Sequence, residues 1–283
     1  MAATTDREEA RHWEHPGLPG VDLLRARYIR HTFTRHAHDG YVIAAVTDGI
    51  EGIGLPGGRE RAGPGGVVLI NPGTPHSAYA GVEDGWSYRV LYPSADVVAS
   101  VAAETSELRG TPAFTATVLD DPANAAMIAD VHRAAESDNP LAADTFLRLV
   151  VARLLARHGA APASGPLPGG GPGAAARARD LLAARLTAPP SLAELATGTG
   201  TSPFALLRAF KKTYGLPPHA WLTGERVRAA RRLLGSGATP ADTAAAVGFT
   251  DQPHLNRHFT RIVGVPPGAY QRERGGPRPQ PST

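Results

Sequence analysis

Two stretches near the C-terminus repeat each other: SPFALLRAFKKTYGLPPHAW (Ser202–Trp221) and DQPHLNRHFTRIVGVPPGAY (Asp251–Tyr270). A constant shift of 49 residues aligns them without a gap. It superimposes a leucine, an arginine, a phenylalanine, a glycine and a Pro-Pro pair, and it places Trp221 over Tyr270. Repetition of this kind indicates a duplicated structural unit. Two copies are too few for a solenoid, so the sequence predicts a tandem pair.

The residues that precede and open each stretch predict a helix-turn-helix. In the first copy, Ser191 with Glu194 forms a capping-box pattern, and Gly198 and Gly200 end that helix. Ser202 followed by proline then starts a second helix. In the second copy, Thr239 or Asp242 caps the first helix, which carries Ala245, Ala246 and Val247. Gly248 turns the chain and Asp251 caps the second helix.

The second helix of each copy has an apolar side and a polar side. Leu206 and Phe210, and their counterparts Leu255 and Phe259, are predicted to face inward, together with Ile262. The residues predicted to face outward are Phe204, Leu207, Arg208, Lys211 and Lys212 in one copy and Pro253, His254, Asn256, Arg257 and Arg261 in the other. A short helix, a tight turn and a helix with basic and amide side chains outside is the geometry that enters a DNA major groove.

The block GFTDQPHLNRHFTRIVGVPPGAY (Gly248–Tyr270) resembles the signature of the AraC family of transcriptional regulators. The resemblance implies sequence-specific binding to two successive major grooves of double-stranded DNA. It also implies that bases are read by Phe204, Leu207 and Arg208 in one helix and by Pro253, His254, Asn256 and Arg257 in the other. Leu207 departs from the polar residue often found there; it can touch a thymine methyl group but cannot read a base by hydrogen bonds.

A helix between the two copies is expected to hold them apart. The segment Leu222–Leu234 carries Arg226, Arg228, Arg231 and Arg232 and is about 20 Å long at about 1.5 Å per residue. Successive major grooves on one face of DNA are about 34 Å apart. This helix and the two small units are together long enough for that span.

Charge is distributed unevenly along the 283 residues, although the net charge is only +3. From Ala174 onward 15 Arg and Lys oppose 6 Asp and Glu, a net charge of +9, whereas the preceding residues carry −6. A basic half that coincides with the duplicated unit indicates phosphate binding rather than an inert charged surface.

Composition excludes several other classes of protein. The chain has no cysteine, which excludes disulfides and thiolate metal sites. It has no apolar run long enough for a membrane span, and its N-terminus lacks the apolar core of a signal peptide. We therefore expect a soluble, cytoplasmic protein that does not contact membranes. No nucleophile–base pair, Walker loop or dinucleotide fingerprint is present, so we expect neither an enzyme nor a cofactor.

The sequence predicts two domains and a linker. A Pro/Gly-rich segment (Gly159–Gly173) lacks apolar periodicity and reads as a linker that spans roughly 20 Å on average. We expect an effector-binding and dimerisation domain over residues 1–158, a DNA-binding domain over 174–272, and a disordered tail over 273–283.

The N-terminal half begins with short strands. Leu24–Arg30, Tyr41–Val46, Val67–Ile70 and Trp86–Tyr92 are separated by glycine turns, which suggests a small barrel or jelly roll. The pattern of His36 and His38, two glycine turns and then Pro72-Gly-Thr-Pro-His76 resembles a cupin. The resulting fold class is a cupin-like β-barrel with C-terminal helices, followed by an all-α domain of two helix-turn-helix motifs joined by a helix.

Three histidines raise the question of a metal. His36, His38 and His76 correspond to metal ligands of the enzymatic cupins, but the carboxylate expected after the second histidine is missing, and Asp39 points away on a strand. We therefore expect no metal and a pocket for a small organic effector. The candidate pocket residues are Tyr28, His36, His38, Tyr41, His76, Trp86 and Tyr88. The alternative is a metal-dependent cupin enzyme fused to a DNA-binding module.

Three helices are expected to close this domain: Ala95–Thr105, Asp121–Ser137 and Ala142–His158. The last has a stripe made of Phe146, Leu149, Val150, Arg153, Leu154 and Arg157. The stripe packs on the barrel, builds a dimer seam, or does both. Because similar regulators dimerise through this part, the resemblance favours a homodimer and adds RNA polymerase as a further partner.

Overall fold

The computed structural model describes residues 7–108, 111–161 and 173–275. The chain divides into two compact units, Met1–Gly169 and Gly170–Thr283. In the described residues, no helix is both long and apolar enough to cross a membrane.

The N-terminal unit is built on two antiparallel sheets. The first has the strand order β1-β2-β9-β4-β7-β11, the second has the order β3-β8-β5-β6, and β10 pairs with β12. The strands are β1 (Glu9–Glu14), β2 (Val21–Tyr28), β3 (Thr32–His36), β4 (Val42–Gly49), β5 (Glu51–Leu55), β6 (Gly58–Ala62), β7 (Gly66–Ile70), β8 (His76–Ala80), β9 (Trp86–Pro93), β10 (Ala113–Phe114), β11 (Val118–Asp120) and β12 (Gly159–Ala160).

The larger sheet is buried on both faces, which explains why its central strands are continuously apolar. Successive side chains of a strand point to opposite faces. On β4, Ile43 and Ala45 join the core shared with the helices, whereas Val42 and Ala44 line a cavity on the other side. A sheet covered on both faces loses the alternation of polar and apolar residues that marks a half-exposed strand.

Three helices cover one face of this sheet: α1 (Ala95–Thr105), α2 (Pro122–Glu136) and α3 (Pro140–His158). The side chains of Ser94, Asp121 and Asn139 cap their first turns. The three predicted helices are therefore present, and α3 begins two residues earlier than expected because Pro140 occupies its first turn.

The predicted stripe of α3 does not form a single face. Val150 and Leu154 are buried, but Leu149, Arg153 and Arg157 are exposed. The buried face consists of Ala143, Leu147, Val150, Val151, Leu154 and Leu155. Adjacent buried pairs at 150/151 and 154/155 show that the core contacts a side of the helix rotated from the predicted one.

The predicted linker begins inside the N-terminal unit. Gly159 and Ala160 form β12, which pairs with Ala113 and Phe114 of β10. Residues 162–172 of the predicted linker lie outside the described residues.

The C-terminal unit is helical, and the repeat of the sequence is visible in its helices. Its helices are α4 (Ala174–Ala184), α5 (Leu192–Thr199), α6 (Pro203–Tyr214), α7 (Pro218–Gly235), α8 (Pro240–Val247), α9 (Gln252–Val263) and α10 (Pro267–Gly275). Helices α6 and α9 each have 12 residues and begin 49 residues apart. The predicted capping box at Ser191 and Glu194 is present, and Thr239 rather than Asp242 caps α8.

Each copy contains the same aromatic contact. The rings of Phe210 and Trp221 meet edge to face with centroids 6.2 Å apart, and those of Phe259 and Tyr270 do so at 5.2 Å. Phe210 and Phe259 are fully buried. Edge-to-face packing is a favoured geometry for aromatic pairs, so the shared aromatic position holds the following helix against α6 in one copy and against α9 in the other.

Glycine ends the first helix of each copy. Gly200 and Gly248 have φ of 68° and 87°, the left-handed region that favours glycine. At Gly248 an added Cβ would also lie 2.7 Å from the Cα of Thr187. Gly198, predicted to break α5, lies within that helix instead.

Some inward positions differ from the prediction. On α8 the buried residues are Thr243, Ala244 and Val247, whereas Ala245 and Ala246 are exposed. On α9 Val263 is buried and Ile262 only half-buried. Helix α10 reaches Gly275, so residues 273–275 of the predicted disordered tail are helical. Residues 276–283 lie outside the described part of the chain.

Candidate functional site

Helices α6 and α9, which we call the reader helices, carry cations at equivalent positions on their outer sides. Arg208 matches Arg257 and Lys212 matches Arg261 under the shift of 49 residues, and all four are exposed. Lys211 and Pro253 are exposed as well, and Leu207 is half-exposed. The side chain of Phe204 lies outside the described set. The structure thus presents one exposed basic surface on each reader helix.

These cations differ from the arginines of α7. Arg226 donates to the carbonyl of Leu186 at 2.8 Å, Arg231 donates to the hydroxyl of Tyr270 at 3.1 Å, and Arg228 pairs with Glu225 at 2.7 Å. The cations on α6 and α9 are Arg208, Lys211, Lys212, Arg257 and Arg261. Within the described residues, none of these five side chains forms an ion pair. Arg226 and Arg231 thus tie α7 to neighbouring elements and Arg228 pairs within the helix, whereas Arg232 is exposed. The exposed cations of α6 and α9 are available to an external partner.

His254 is not fully directed outward as predicted. Its ring lies 5.2 Å from that of Phe249 and 4.9 Å from that of His258, and its Nδ1 is 3.3 Å from the hydroxyl of Thr250. His254 and Asn256 are both half-buried. The ring therefore packs back over the turn, which leaves Pro253, Arg257 and Arg261 as the most exposed residues of the predicted set on α9.

The N-terminal unit contains a cavity that lies between the two sheets and opens to the surface. The cavity is lined by Phe33, His36, His38, Val42, Ala44, Glu51, Ile53, Val68, Ile70, His76, Ala78, Tyr88 and Tyr92. Of the seven predicted pocket residues, four line this cavity: the three histidines and Tyr88.

The other three predicted residues lie elsewhere. Tyr41 points to the helical side of the sheet, where its hydroxyl donates to the carbonyl of Pro112 and its ring meets Phe114 at 5.6 Å. Tyr28 and Trp86 are buried beside the lining residue Tyr88, with their ring centroids 5.4 Å apart and with Tyr88 in contact with both. They support the wall but do not line the cavity.

The three histidines converge at one end of the cavity. Nδ1 of His36 lies 2.6 Å from the carbonyl of Thr34, and Nδ1 of His76 lies 2.9 Å from the carbonyl of Thr74. A carbonyl only accepts, so each Nδ1 carries the proton and each Nε2 keeps its lone pair. Nε2 of His36 is 3.0 Å from Nε2 of His38. Burial, followed by the nearby His76, lowers the pKa of His36 to about 3, and burial lowers the pKa of His76.

The donor set of this cluster fits a divalent ion in part. Potential ligand nitrogens of His36, His38 and His76 all lie within 4.8 Å of one another. A histidine whose other nitrogen donates to a backbone carbonyl is the usual arrangement of a metal ligand. Within the described residues, however, the cluster contains no carboxylate. These imidazoles would hold such an ion, and they equally suit hydrogen bonds to an organic ligand.

Sequence reasoning missed Phe33, Tyr92 and Glu51. Tyr92 lies four residues after Tyr88 on β9, and both line the cavity. Because alternate residues of a strand point to the same face, the sequence could have predicted Tyr92 once Tyr88 was assigned to the pocket. Glu51 is only 4% exposed, and burial raises its pKa to about 8. A glutamate inside an apolar run (Ile50–Leu55) was the only sequence signal for a buried carboxyl group.

Known families match both units. The AraC-like ligand binding domain matches residues 18–151, and a helix-turn-helix domain matches residues 195–273. The uncharacterized HTH-type transcriptional regulator YbfI of Bacillus subtilis (strain 168) is 26% identical over 238 residues, which cover 83% of this chain and 86% of YbfI. The transcriptional activator NphR of Rhodococcus sp is 36% identical over 87 residues, 29% of this chain and 25% of NphR.

The fold, the basic reader helices and these matches define a DNA-binding transcriptional regulator with an effector-binding N-terminal domain. The chain belongs to the AraC family. ToxT from Vibrio cholerae strain SCE256, solved with a bound unsaturated fatty acid, has the same two-domain fold. The TM-score is 0.54 at 14% identity, over 98% of this chain and 99% of that of ToxT.

Proposed function

We propose that α6 and α9 read two successive major grooves of one duplex. The observation that carries this proposal is the pair of equivalent exposed arginines, Arg208 and Arg257, on helices that repeat each other. Arginine is suited to bidentate contact with guanine, and lysine to phosphate. Lys211, Lys212 and Arg261 would then contact the backbone on either side.

The helix between the readers has a suitable length. Helix α7 has 18 residues, which corresponds to about 27 Å at about 1.5 Å per residue, and it packs against both α6 and α9. This is longer than the predicted segment of about 20 Å. The length of α7 together with the widths of α6 and α9 is sufficient to span two major grooves that are about 34 Å apart.

Selection of binding sites from random duplex DNA tests this proposal. The expected product contains two short preferred motifs with centres about 10 base pairs apart. Selection of a single motif would show that only one of the helices reads bases.

We also propose that the cavity of the N-terminal unit binds a small organic effector. Its walls are apolar along Val42, Ala44, Ile53, Val68 and Ile70, and its polar groups are confined to a few positions, as in typical ligand pockets. The same fold in ToxT holds an unsaturated fatty acid. Binding regulates DNA affinity only if the effector favours one of two conformational states.

His38→Ala should weaken the effector response by roughly three- to tenfold, the range expected for one lost hydrogen bond. DNA binding by the effector-free variant should change little, because α6 and α9 belong to the other compact unit. The measurement is DNA affinity titrated against candidate effectors. His158→Ala, a half-buried histidine outside the cavity lining, is the matched control.

The convergence of the three histidines supports one alternative function, a metal-dependent cupin enzyme fused to a DNA-binding unit. Elemental analysis of the purified protein separates the two. Stoichiometric iron, zinc or manganese that is lost in His38→Ala would contradict a purely organic pocket and favour the enzyme. We propose that the protein is not an enzyme and holds no metal.

Exposed apolar residues on α3 support a homodimer. Leu141 is 78% exposed and Leu149 is 49% exposed, and they lie on one side of the helix, eight residues apart. Leu149→Glu should convert a dimer to a monomer in sedimentation experiments, because a carboxylate in an apolar interface is strongly unfavourable. Val82→Glu, an exposed position on a loop, is the control. A wild-type monomer, or a dimer that survives in Leu149→Glu, would contradict this seam.

The remaining expectations stay predictions. We propose an effector-binding domain over residues 1–158, adjusted to include β12, and a DNA-binding domain over 174–272, adjusted to include all of α10. We further propose that the protein acts in the cytoplasm without membrane contact, and that RNA polymerase is a partner at the promoter.

A further inference from the structure

Glu51 lies at the end of the cavity opposite the histidines. It pairs with Ala80 across the β5–β8 ladder, and His76 begins β8 four residues earlier. At about 3.4 Å per residue, this separation is about 14 Å along the strand. Aliphatic side chains, among them Ile53 and Ala78, line the wall between the two ends.

The carboxyl group of Glu51 is buried without a full set of partners. Its Oε2 has no hydrogen-bond partner in the described part of the protein. Buried polar atoms of native proteins are nearly always hydrogen-bonded, so an unsatisfied one that lines a cavity calls for a ligand group. Burial raises the pKa of Glu51 to about 8, so the group carries a proton at neutral pH.

The surroundings of Glu51 favour a cation over an anion. The residues that line the cavity include no lysine or arginine. The other titratable groups there are the three imidazoles and Tyr88 and Tyr92; burial raises the pKa of Tyr88 well above its ordinary value and lowers those of His36 and His76. Arg35, whose charge contributes to the lowered pKa of His76, acts at the histidine end, so a carboxylate bound at Glu51 would meet no cation among the lining residues. An ammonium group would meet a carboxyl group and the ring of Tyr88, which attracts cations.

We propose that Glu51 anchors the effector and that the effector is an organic amine with an apolar body. The amine lies at Glu51, the apolar body lies along the aliphatic walls, and the far end meets the imidazoles. This inference rests on the proposed function, in which the cavity holds the effector.

Amine binding should release a proton from the protein. The amine enters as an ammonium ion, the carboxyl group of Glu51 loses its proton to the solvent, and an ammonium–carboxylate pair forms. Calorimetry at pH 7 in buffers of different ionisation enthalpy should report release of about one proton per bound amine, because an adjacent cation favours the ionised carboxylate.

The test uses the full chain and two amines, hexylamine and benzylamine, each matched with the alcohol and the carboxylate of the same skeleton. Wild-type protein should bind each amine at least about tenfold more tightly than its alcohol, the effect expected of a hydrogen bond to a charged group. Glu51→Gln keeps the shape of the side chain and should lose both this preference and the proton release. Glu60→Gln, on the neighbouring β6 and outside the cavity lining, should keep both.

Four results would overturn the inference: no amine bound at millimolar concentration, amine and alcohol bound equally, the carboxylate preferred, or an amine preference that persists in Glu51→Gln. Thermal unfolding confirms that each variant is folded. DNA affinity is titrated separately. A neutral or anionic compound that shifts DNA affinity through this cavity would overturn the amine and keep the proposed regulation. An amine bound at Glu51 without any change in DNA affinity would keep the amine site and overturn the proposed regulation.

Discussion

A fragment from Ala174 to Thr283 is expected to fold and bind duplex DNA alone, and to lose its affinity steeply as salt rises. The fragment carries a net charge of +9 and has its own buried core around Leu206, Phe210 and Leu182. Each phosphate that it neutralises contributes a slope of about −0.9 to log affinity against log salt. With six phosphate contacts, affinity should fall roughly a thousandfold between about 50 and 200 mM salt.

Fluorescence anisotropy of labelled duplexes at several salt concentrations measures this slope, and circular dichroism verifies folding. Lys211→Ala is the internal control, because loss of one phosphate contact should reduce the slope by about 1. A fragment that is unfolded, or whose binding does not depend on salt, would contradict either the boundary or the electrostatic role of this surface.

Arg257→Ala is expected to relax base preference at one position of the binding site. Bidentate contact between arginine and guanine is worth roughly 1–3 kcal/mol of discrimination, or about five- to 150-fold. Arg257 is exposed on α9 and forms no ion pair with another described residue. Its guanidinium group can therefore contact a base without first breaking an internal ion pair. The measurement compares binding to all single-base variants of the selected site.

Two further substitutions make this test specific. Lys211→Ala should weaken binding to all sequences alike, because contacts to phosphate do not distinguish bases. Arg208→Ala should relax a different position, about 10 base pairs from that of Arg257, because the two arginines are equivalent in the repeat. If Arg257→Ala and Lys211→Ala both reduce affinity uniformly, Arg257 does not read a base.

Local signals were reliable in the helical unit. Ser191, Ser202, Thr239 and Asp251 all cap helices with their side chains, and a glycine ends the first helix of each copy. Caps and left-handed glycines depend on hydrogen bonds and sterics within a few residues. For that reason, the starts of α5, α6, α8 and α9 and the duplication could be predicted without any knowledge of tertiary contacts, whereas α7 begins four residues before the predicted segment.

The cavity was less predictable because membership depends on which face of a strand is turned inward. Tyr41 directly precedes β4 and Tyr92 lies on β9, yet Tyr41 faces the helices and Tyr92 the cavity. In a sheet buried on both faces, hydrophobicity no longer identifies the inner side. The same ambiguity explains why the buried face of α3 differs from the predicted stripe, because apolar residues lie on several sides of the helix between Leu147 and Leu155.

The sequence alone determined the class of this protein. The shift of 49 residues, the caps and the basic charge after Ala174 are properties of the chain itself, and they predicted paired DNA-binding helices. The separate sensor was predicted from the linker, the N-terminal strands and the resemblance to a cupin. Only the tertiary structure decided which polar groups share one cavity. Glu51 and His76 are 25 residues apart in sequence, and hydrogen-bonded pairing of β5 with β8 places them on one wall. Strand pairing is non-local, so no short window of sequence contains it.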